Sequence, residues 1–374
     1  MITKVELKNF KSIGEETIEL DKLTLLVGRN GAGKTTVVDA LKFVRDALVT
    51  GLDDAVLMRH GISSLRRWSP NRPYDVKIRL TFHGKRLFGS YSLILASGKD
   101  GEFRVKNELG KIASTADGEP EIFERSSDKW KKIPEIRMGK LSTSALDPLS
   151  LALPSIAIFS LKFNRLRSFL RSMCFYSIFP NTLREPQKPS ASRVLDDHGS
   201  NLATIARAII LKKRHQDLIS PLDAVVGGVL DFRIDQVGGF LVTQLLRKMS
   251  NNQETWFDLS QESDGTLRML GLLVALNQPT PSSFIAVEEP ELTLHPGALG
   301  VLSDILREAS TRRQLLITTQ SPDLISRFAA SSIRVVERID GVSHIGSISE
   351  TQRQAIEEQL FTTGDLLRLE GLQR

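Results

Sequence analysis

The sequence predicts an α/β fold with a mixed sheet, an antiparallel β-subdomain and an inserted helical region. Three observations predict it. An apolar run, Leu23–Val27, leads through a glycine-rich loop into a helical pattern at Val37, Val38, Leu41, Val44 and Leu48. Far downstream, Phe284-Ile285-Ala286-Val287 is apolar without alternation, as in a parallel strand covered on both faces. Between them Val76–Phe82 alternates, Gly84 turns and Leu87–Leu95 follows, the pattern of an antiparallel hairpin. The chain has 374 residues, 41% hydrophobic and 25% charged, enough for one large domain with an insertion.

The elements follow in order. Residues 1–133 should hold two short strands, the glycine-loop strand with its helix, and antiparallel strands. Glycine- and serine-rich stretches from Ser97 to Asp128 read as exposed loops. Residues 134–222 read as an inserted, mainly helical region with breaks near Pro180–Pro189. Within it Leu149–Leu161, interrupted by Pro154 and three serines, reads as core and is too short to span a bilayer. Phe163, Leu166, Leu170 and Met173 form one helical stripe. Residues 223–374 return to the sheet. No internal repeat appears, and no sustained heptads separate Lys34 from Ser263, which excludes a long coiled coil. Cys174 is the only cysteine, which excludes an intramolecular disulfide and suits the cytosol. Met1–Leu7 reads as an alternating strand and not as a signal peptide, so a cytoplasmic protein without a membrane segment is expected.

Gly28-Arg29-Asn30-Gly31-Ala32-Gly33-Lys34-Thr35 fits G-x-x-x-x-G-K-[ST] at every position, and the strand before it and helix after it are the context that pattern needs. Glycines let consecutive N–H groups turn inward on phosphates. The helix N-terminus adds its positive end and Lys34 a point charge for the β/γ-phosphates. Thr35, followed by Thr36, places a hydroxyl for Mg²⁺. Binding of ATP with Mg²⁺ at Gly28–Thr36 is therefore expected. The strand at Phe284–Val287 ends in Glu288-Glu289, at the edge where open α/β sheets bind ligands. Glu288 would hold Mg²⁺, directly or through water, and Glu289 would polarise the attacking water. Adjacent strand residues point to opposite faces, so one acid could instead be a surface charge.

Leu259–Arg268 contains Ser263-Asp264-Gly265 before a strongly apolar helix. Ser263 is a natural N-cap, and Gly265 leaves the first-turn N–H groups open to a phosphate. An ordinary capped helix has the same appearance. Placed before the acidic strand, this segment resembles the signature of ABC-type ATPases, usually Leu-Ser-Gly-Gly-Gln. Lys8–Ser12 resembles the opening strand of the RecF and SMC-like branch of that superfamily. Glu291–Pro296 is similar to its dimer-contacting loop, and Leu315–Pro322 to a strand ending at a switch position, here Gln320. Arg184, Asp197–Leu202 and Gly364–Leu367 resemble recurring features of compact AAA-type ATPases related to the ATPase half of OLD-type proteins.

The resemblance implies an ABC-type P-loop NTPase head, with residues 1–133 and 223–374 as its two parts. It implies Lys11 at the nucleotide, Gln320 as a catalytic switch residue, and Ser263 and Gly265 serving the nucleotide of the opposite subunit. It also implies a homodimer, or a higher oligomer, built through ATP-sandwiched heads, with a separate effector such as a nuclease or toxin. Many relatives carry histidine at the Gln320 position; a neutral amide donates a hydrogen bond but cannot become cationic. No glutamine precedes Gln187, so the usual glutamine loop has no counterpart by sequence.

The formal charge is +6, which permits a DNA partner without establishing it. Lys162, Arg165, Arg167, Arg171 and Arg184 accumulate where acids are missing, and Lys212-Lys213-Arg214 forms another cluster. Either could bind phosphate or flank an apolar seam with solvated heads. His198 beside Asp196 and Asp197 reads as part of a helix cap, and Trp68, Trp130 and Trp256 as packing residues. Three functions compete: an ATP-driven switch acting in DNA maintenance or anti-phage defence, an ATP-binding scaffold with little turnover, and the nucleotide-binding subunit of a transporter.

Overall fold

The structure, a computed structural model, describes residues 1–70, 74–84, 87–98, 101–115, 119–134, 146–249, 252–280 and 282–374. Contacts divide the chain into two compact units: Met1–Met173 with Ser331–Gln352 and Leu372–Arg374, and Cys174–Ala330 with Arg353–Gly371.

The first unit opens with β1 (Ile2–Phe10), β2 (Ile13–Glu19), β3 (Leu23–Val27) and α1 (Lys34–Val49), followed by the short helices α2 (Leu52–Leu57) and α3 (Ile62–Leu65). Then come β4 (Val76–His83), β5 (Leu87–Ser97), β6 (Phe103–Ser114), β7 (Glu121–Ser126) and β8 (Lys129–Lys132), and the helices α4 (Leu153–Phe159) and α5 (Leu161–Arg171). From the C-terminal part the unit takes β15 (Ile333–Ile339) and β16 (Val342–Gly346). Its strands order as β8-β7-β6-β5-β4-β1-β2-β16-β15-β3. The sheet is mixed: β15 lies parallel to β3 and β16 parallel to β2, while the run from β2 to β8 is antiparallel. The expected hairpin is β4–β5, registered from Val76↔Leu95 to His83↔Phe88.

The expectation of loops between Ser97 and Asp128 is corrected: β6 and β7 occupy most of that stretch. Their inward positions include Glu108 and Arg125, both fully buried, so hydropathy does not reveal the alternation. Glu108 accepts from the Tyr91 hydroxyl at 3.0 Å and from the N–H groups of Ala152 at 2.6 Å and Leu153 at 2.9 Å, which caps α4. Arg125 donates to the carbonyls of Ser127, Ser150 and Asp147. Buried charges persist only when so satisfied. The stripe of Phe163, Leu166, Leu170 and Met173 is buried as expected. Of the apolar stretch before it, Leu151–Leu153, Ile156 and Ala157 are core, but Ile158 and Leu161 are 76% and 80% exposed.

The second unit contains β9 (Cys174–Tyr176), α6 (Pro180–Arg184), α7 (Leu202–Leu211) and α8 (Gln216–Val226). Next come β10 (Val229–Val237), β11 (Phe240–Lys248), β12 (Glu254–Asp258), α9 (Asp264–Asn277), β13 (Phe284–Glu288), α10 (Leu299–Arg312), β14 (Gln314–Thr319) and α11 (Pro322–Ile325). The boundary at Gln352 and Arg353 falls within α12 (Glu350–Glu357), and α13 (Thr363–Leu369) closes the unit. The β13 strand pairs in parallel with β14 and β9 and is buried from Phe284 to Val287. Strands β10–β12 form a separate antiparallel sheet. The stretch 134–222 thus carries α4–α8 and also β9, too short at three residues to stand out by period; residues 135–145 of it lie outside the described set.

Candidate functional site

In the first unit β3 delivers the chain into Gly28–Gly33, and α1 begins at Lys34. Gly33 is the N-cap with φ 116°, a left-handed conformation that favours glycine. A Cβ on Gly28 would lie 2.1 Å from the Val336 carbonyl oxygen, so that glycine admits β15 against the loop. The Lys34 ammonium is buried and folds back, donating to the carbonyls of Gly28 at 2.7 Å and Arg29 at 3.2 Å. Arg29, Asn30, Gly31 and Thr35 are exposed. A donor-lined loop at a helix N-terminus, with a lysine over it and an exposed hydroxyl beside it, fits a triphosphate with Mg²⁺.

Two hydroxyl residues missed by sequence reasoning brace this loop. Ser343 Oγ, on β16, lies 2.6 Å from the Ala32 carbonyl and 2.7 Å from Ser12 Oγ, and Ser12 Oγ lies 3.4 Å from Thr36 Oγ1. The carbonyl can only accept, so the single Ser343 hydroxyl hydrogen goes to it and Ser343 Oγ accepts a hydrogen bond from the Ser12 hydroxyl. Ser12 belongs to the β1–β2 turn, whose Lys11 has φ 49° and forms an ion pair with Asp39 of α1 at 2.7 Å. Lys11 is therefore held by α1, and Ser12 is the residue of this turn that meets the loop. Only the pairing of Ser12 with position 343 could have signalled this, and one sequence carries no such signal.

In the second unit Glu288 ends β13 opposite Thr318. Glu289 has φ 44°, uncommon for a residue with a side chain, and its N–H donates to the Thr318 carbonyl at 2.9 Å. Strand alternation, which would set the two acids on opposite faces, thus ends at Glu288. Glu291, missed as a site residue, is buried and accepts from the Thr319 hydroxyl and the Gln320 backbone. Burial first, then the nearby Glu289 charge, raise its carboxyl above the usual range. Gln320 is half-buried directly after β14.

Ser263 caps α9, its hydroxyl accepting from the Thr266 N–H at 3.2 Å, and it is exposed. Gly265 is buried, and a Cβ there would stand 2.8 Å from the Thr293 carbonyl oxygen, so close packing within this unit accounts for the glycine. Two arginines frame the loop: Arg184 meets Asp264 at 2.6 Å and the Glu262 carbonyl at 3.1 Å, while Arg247 forks onto Glu262. Gly364 of α13 admits the Pro322 carbonyl, since a Cβ would come within 2.4 Å of it.

The segment that holds His198 leads into α7 as expected, with Asn201 as the N-cap residue, but the His198 side chain itself turns elsewhere. Its ring bonds the Ser177 carbonyl at 2.8 Å and lies against Phe179, while Gln187 caps α7 through Ala203 N–H at 2.8 Å. Trp68 is 79% exposed, which corrects its reading as a packing residue. Among the described residues no cluster of three metal-ligating side chains occurs, and no helix is long and apolar enough to cross a membrane.

A family profile described as "AAA domain, putative AbiEii toxin, Type IV TA system" matches residues 23–326. The chain belongs to this family. It is a compact AAA/ABC-type ATPase of the RecF/SMC-like branch. The chain is 22% identical over 371 residues to the Old nuclease of Escherichia phage P2, covering 93% of itself and 61% of that relative's length. It is 28% identical over 137 residues to the chromosome partition protein Smc of Methanocaldococcus jannaschii, 35% of the chain and 10% of the relative. In structure it is similar to an Smc head bound to the C-winged helix domain of ScpA, with TM-score 0.57, 16% identity, and coverage of 94% and 99% of the two chains. A Pyrococcus furiosus Smc head with an extended coiled coil, bound to the C-terminal domain of ScpA, gives TM-score 0.58, 14% identity, and coverage of 96% and 99%. The fold is thus that of an SMC-head-like ABC P-loop NTPase, as the sequence predicted.

Proposed function

We propose that this chain binds ATP with Mg²⁺ and hydrolyses it as a dimeric nucleotide switch in DNA maintenance or anti-phage defence, controlling a separate effector such as a nuclease or toxin. The observation that carries the reading is the phosphate loop: a left-handed Gly33 cap, Lys34 aimed across the loop carbonyls and an exposed Thr35 at the start of α1. The name of the phage relative, a nuclease, and the partition protein support a role connected with DNA. Domain roles follow the same reading, with 1–133 and 223–374 as ATPase head and 134–222 as its insertion.

In this reading the N–H groups of Gly31–Thr36 and the Lys34 ammonium hold the β/γ-phosphates. Thr35 and Glu288 hold Mg²⁺, which neutralises charge developing on the phosphates during hydrolysis. Glu289 takes the proton of the attacking water, Gln320 donates a hydrogen bond near the γ-phosphate, and Ser263 and Gly265 serve the second subunit's nucleotide. Nucleotide titration of the parent and Lys34→Ala chains tests the site. Loss of ATP binding in the variant is expected, and equal affinity would overturn the assignment.

A further inference from the structure

The first unit leaves an apolar cleft open where the tip of the β4–β5 hairpin meets α5. Alternation in β4 turns Phe82 inward, β6 contributes Ile112 and the α5 stripe contributes Leu166, all three buried. Leu87, the first residue of β5, and Phe169 of α5 are half-buried and form the walls. The Phe82 and Phe169 rings stand 6.4 Å apart and tilted. A cavity of about 130 Å³ is lined by these five side chains. A cavity of about 150 Å³ lined by Leu, Ile and Phe takes up benzene, so this one has room for a body of about five or six carbons.

The mouth of the cleft is cationic. Arg165, one turn before Phe169 on α5, and His83, at the end of β4, are exposed and line it. The Met1 amine at the same mouth donates to the His83 carbonyl at 2.9 Å. Arg165 has no counter-charge: no hydrogen bond or ion pair among the described residues uses it. No acid occurs from Pro148 to Arg184, and none lines the cleft. The adjoining basin, which shares Leu87 and Arg165, does hold an acid, Glu121. That carboxylate is already met by Lys162 at 3.5 Å and by the Ser160 hydroxyl. An arginine that only covered an apolar seam with its stem would not distinguish an acid from its neutral analogue.

We propose that this cleft binds a compact carboxylic acid with an apolar body of about five or six carbons, the body packed on Phe82, Ile112 and Leu166 and the carboxylate on Arg165. The planar guanidinium matches a carboxylate with two parallel N–H bonds. An apolar pocket with a few polar groups that fix orientation is the usual form of a small-molecule site. The helix α5 also packs on α1, which begins at Lys34, so the acid sits one helix away from the phosphate loop. The cleft is separate from the proposed ATP site, and its ligand does not require nucleotide.

The test titrates the full chain with benzoate, hexanoate and cyclohexanecarboxylate, and with benzamide and hexanamide as neutral analogues, by isothermal calorimetry. At least one acid should bind more tightly than about 1 mM, and the matching amide about tenfold more weakly or worse. Losing a hydrogen bond to a charged group predicts a drop of about tenfold or more in Arg165→Gln. Arg165→Lys should fall in between, because it keeps the charge but not the fork. Arg165 is exposed, so both variants should melt with the parent. Leu87→Trp fills the mouth and should abolish uptake of every acid. No acid bound below about 1 mM, equal binding of acid and amide, or unchanged affinity in Arg165→Gln or in folded Leu87→Trp would each overturn the proposal. Self-association that Leu87→Trp removes, without uptake of any acid, would assign the cleft to a second copy of the chain and overturn it as well. Lys34→Ala should bind the acids as the parent does, and Arg165→Gln should bind ATP as the parent does, so the cleft and the ATP site fail separately.

Discussion

The bracing of the phosphate loop by Ser343 gives a prediction whose size follows from the structure. In Gly33→Ala the new Cβ would stand 2.3 Å from Ser343 Oγ and 2.8 Å from its Cβ, at a φ of 116°. The left-handed backbone costs about 1–2 kcal/mol for a residue with a Cβ. Displacing Ser343 also breaks its contacts with Ala32 and Ser12, each worth about 0.5–1.5 kcal/mol. Gly33→Ala should therefore lose about 2–5 kcal/mol of stability. Ser343→Gly removes the clashing atoms but forfeits the same two contacts, about 1–3 kcal/mol. The contacts are then counted once in the double variant, so the two losses should overlap by roughly 1–3 kcal/mol, within the range found for touching residues. Urea unfolding of the four proteins of the cycle measures this directly. Additive losses within about 0.3–0.5 kcal/mol, the behaviour of independent sites, would refute the reasoning that Ser343 stands over Gly33.

The remaining predictions concern chemistry and pH. Glu289→Gln should retain ATP and lose about 10²–10⁴ in turnover, the usual contribution of a positioned general base; parental turnover would remove Glu289 from that role. Glu289→Gly should be as inactive yet no less stable in urea, because glycine relieves the φ of 44°. Burial raises the Glu108 carboxyl above its ordinary 4.5, so the native state binds the extra proton. Stability from that group is fully present below its unfolded pKa and declines as pH rises through the folded one; Glu108→Gln should flatten that part of the stability–pH curve. For a two-fold dimer with sites shared between chains, mixing Lys34→Ala with Ser263→Arg should restore activity that neither has alone, since one composite site then carries no defect. Proven mixed dimers without recovery would argue against independent shared sites.

The phosphate loop and the acidic strand were legible because each combines a period with a punctuation: an apolar run, then glycines, or an apolar run, then acids. The β4–β5 hairpin was legible for the same reason, with Val76, Ile78, Leu80 and Phe82 all inward. Strands β6 and β7 were not, because Glu108 and Arg125 occupy inward positions and the code of alternation reads them as surface. Ser12 and Ser343 are 331 positions apart and meet through hydroxyls, which no local pattern encodes. Trp68 failed in the other direction: a large aromatic predicts burial on average, and the surrounding chain leaves this one in solvent.

Gly265 and Glu291 change what the sequence motifs mean physically. The glycine of the signature-like loop is already explained by Thr293, whose carbonyl would meet a Cβ at 2.8 Å. A role toward a second subunit therefore rests on exposed Ser263 and the α9 N-terminus, not on the absence of a side chain at Gly265. Thr293 belongs to the loop that follows the acids, so the same close approach joins two motifs that lie far apart in the chain. Glu291 joins a third. Its carboxylate takes the Thr319 hydroxyl and the Gln320 backbone while lying in the field of Glu289. The acid pair, the loop after it and the position after β14 are thus one hydrogen-bonded piece. A change at Glu291 would disturb Gln320 and Glu289 together, although neither residue would have been altered.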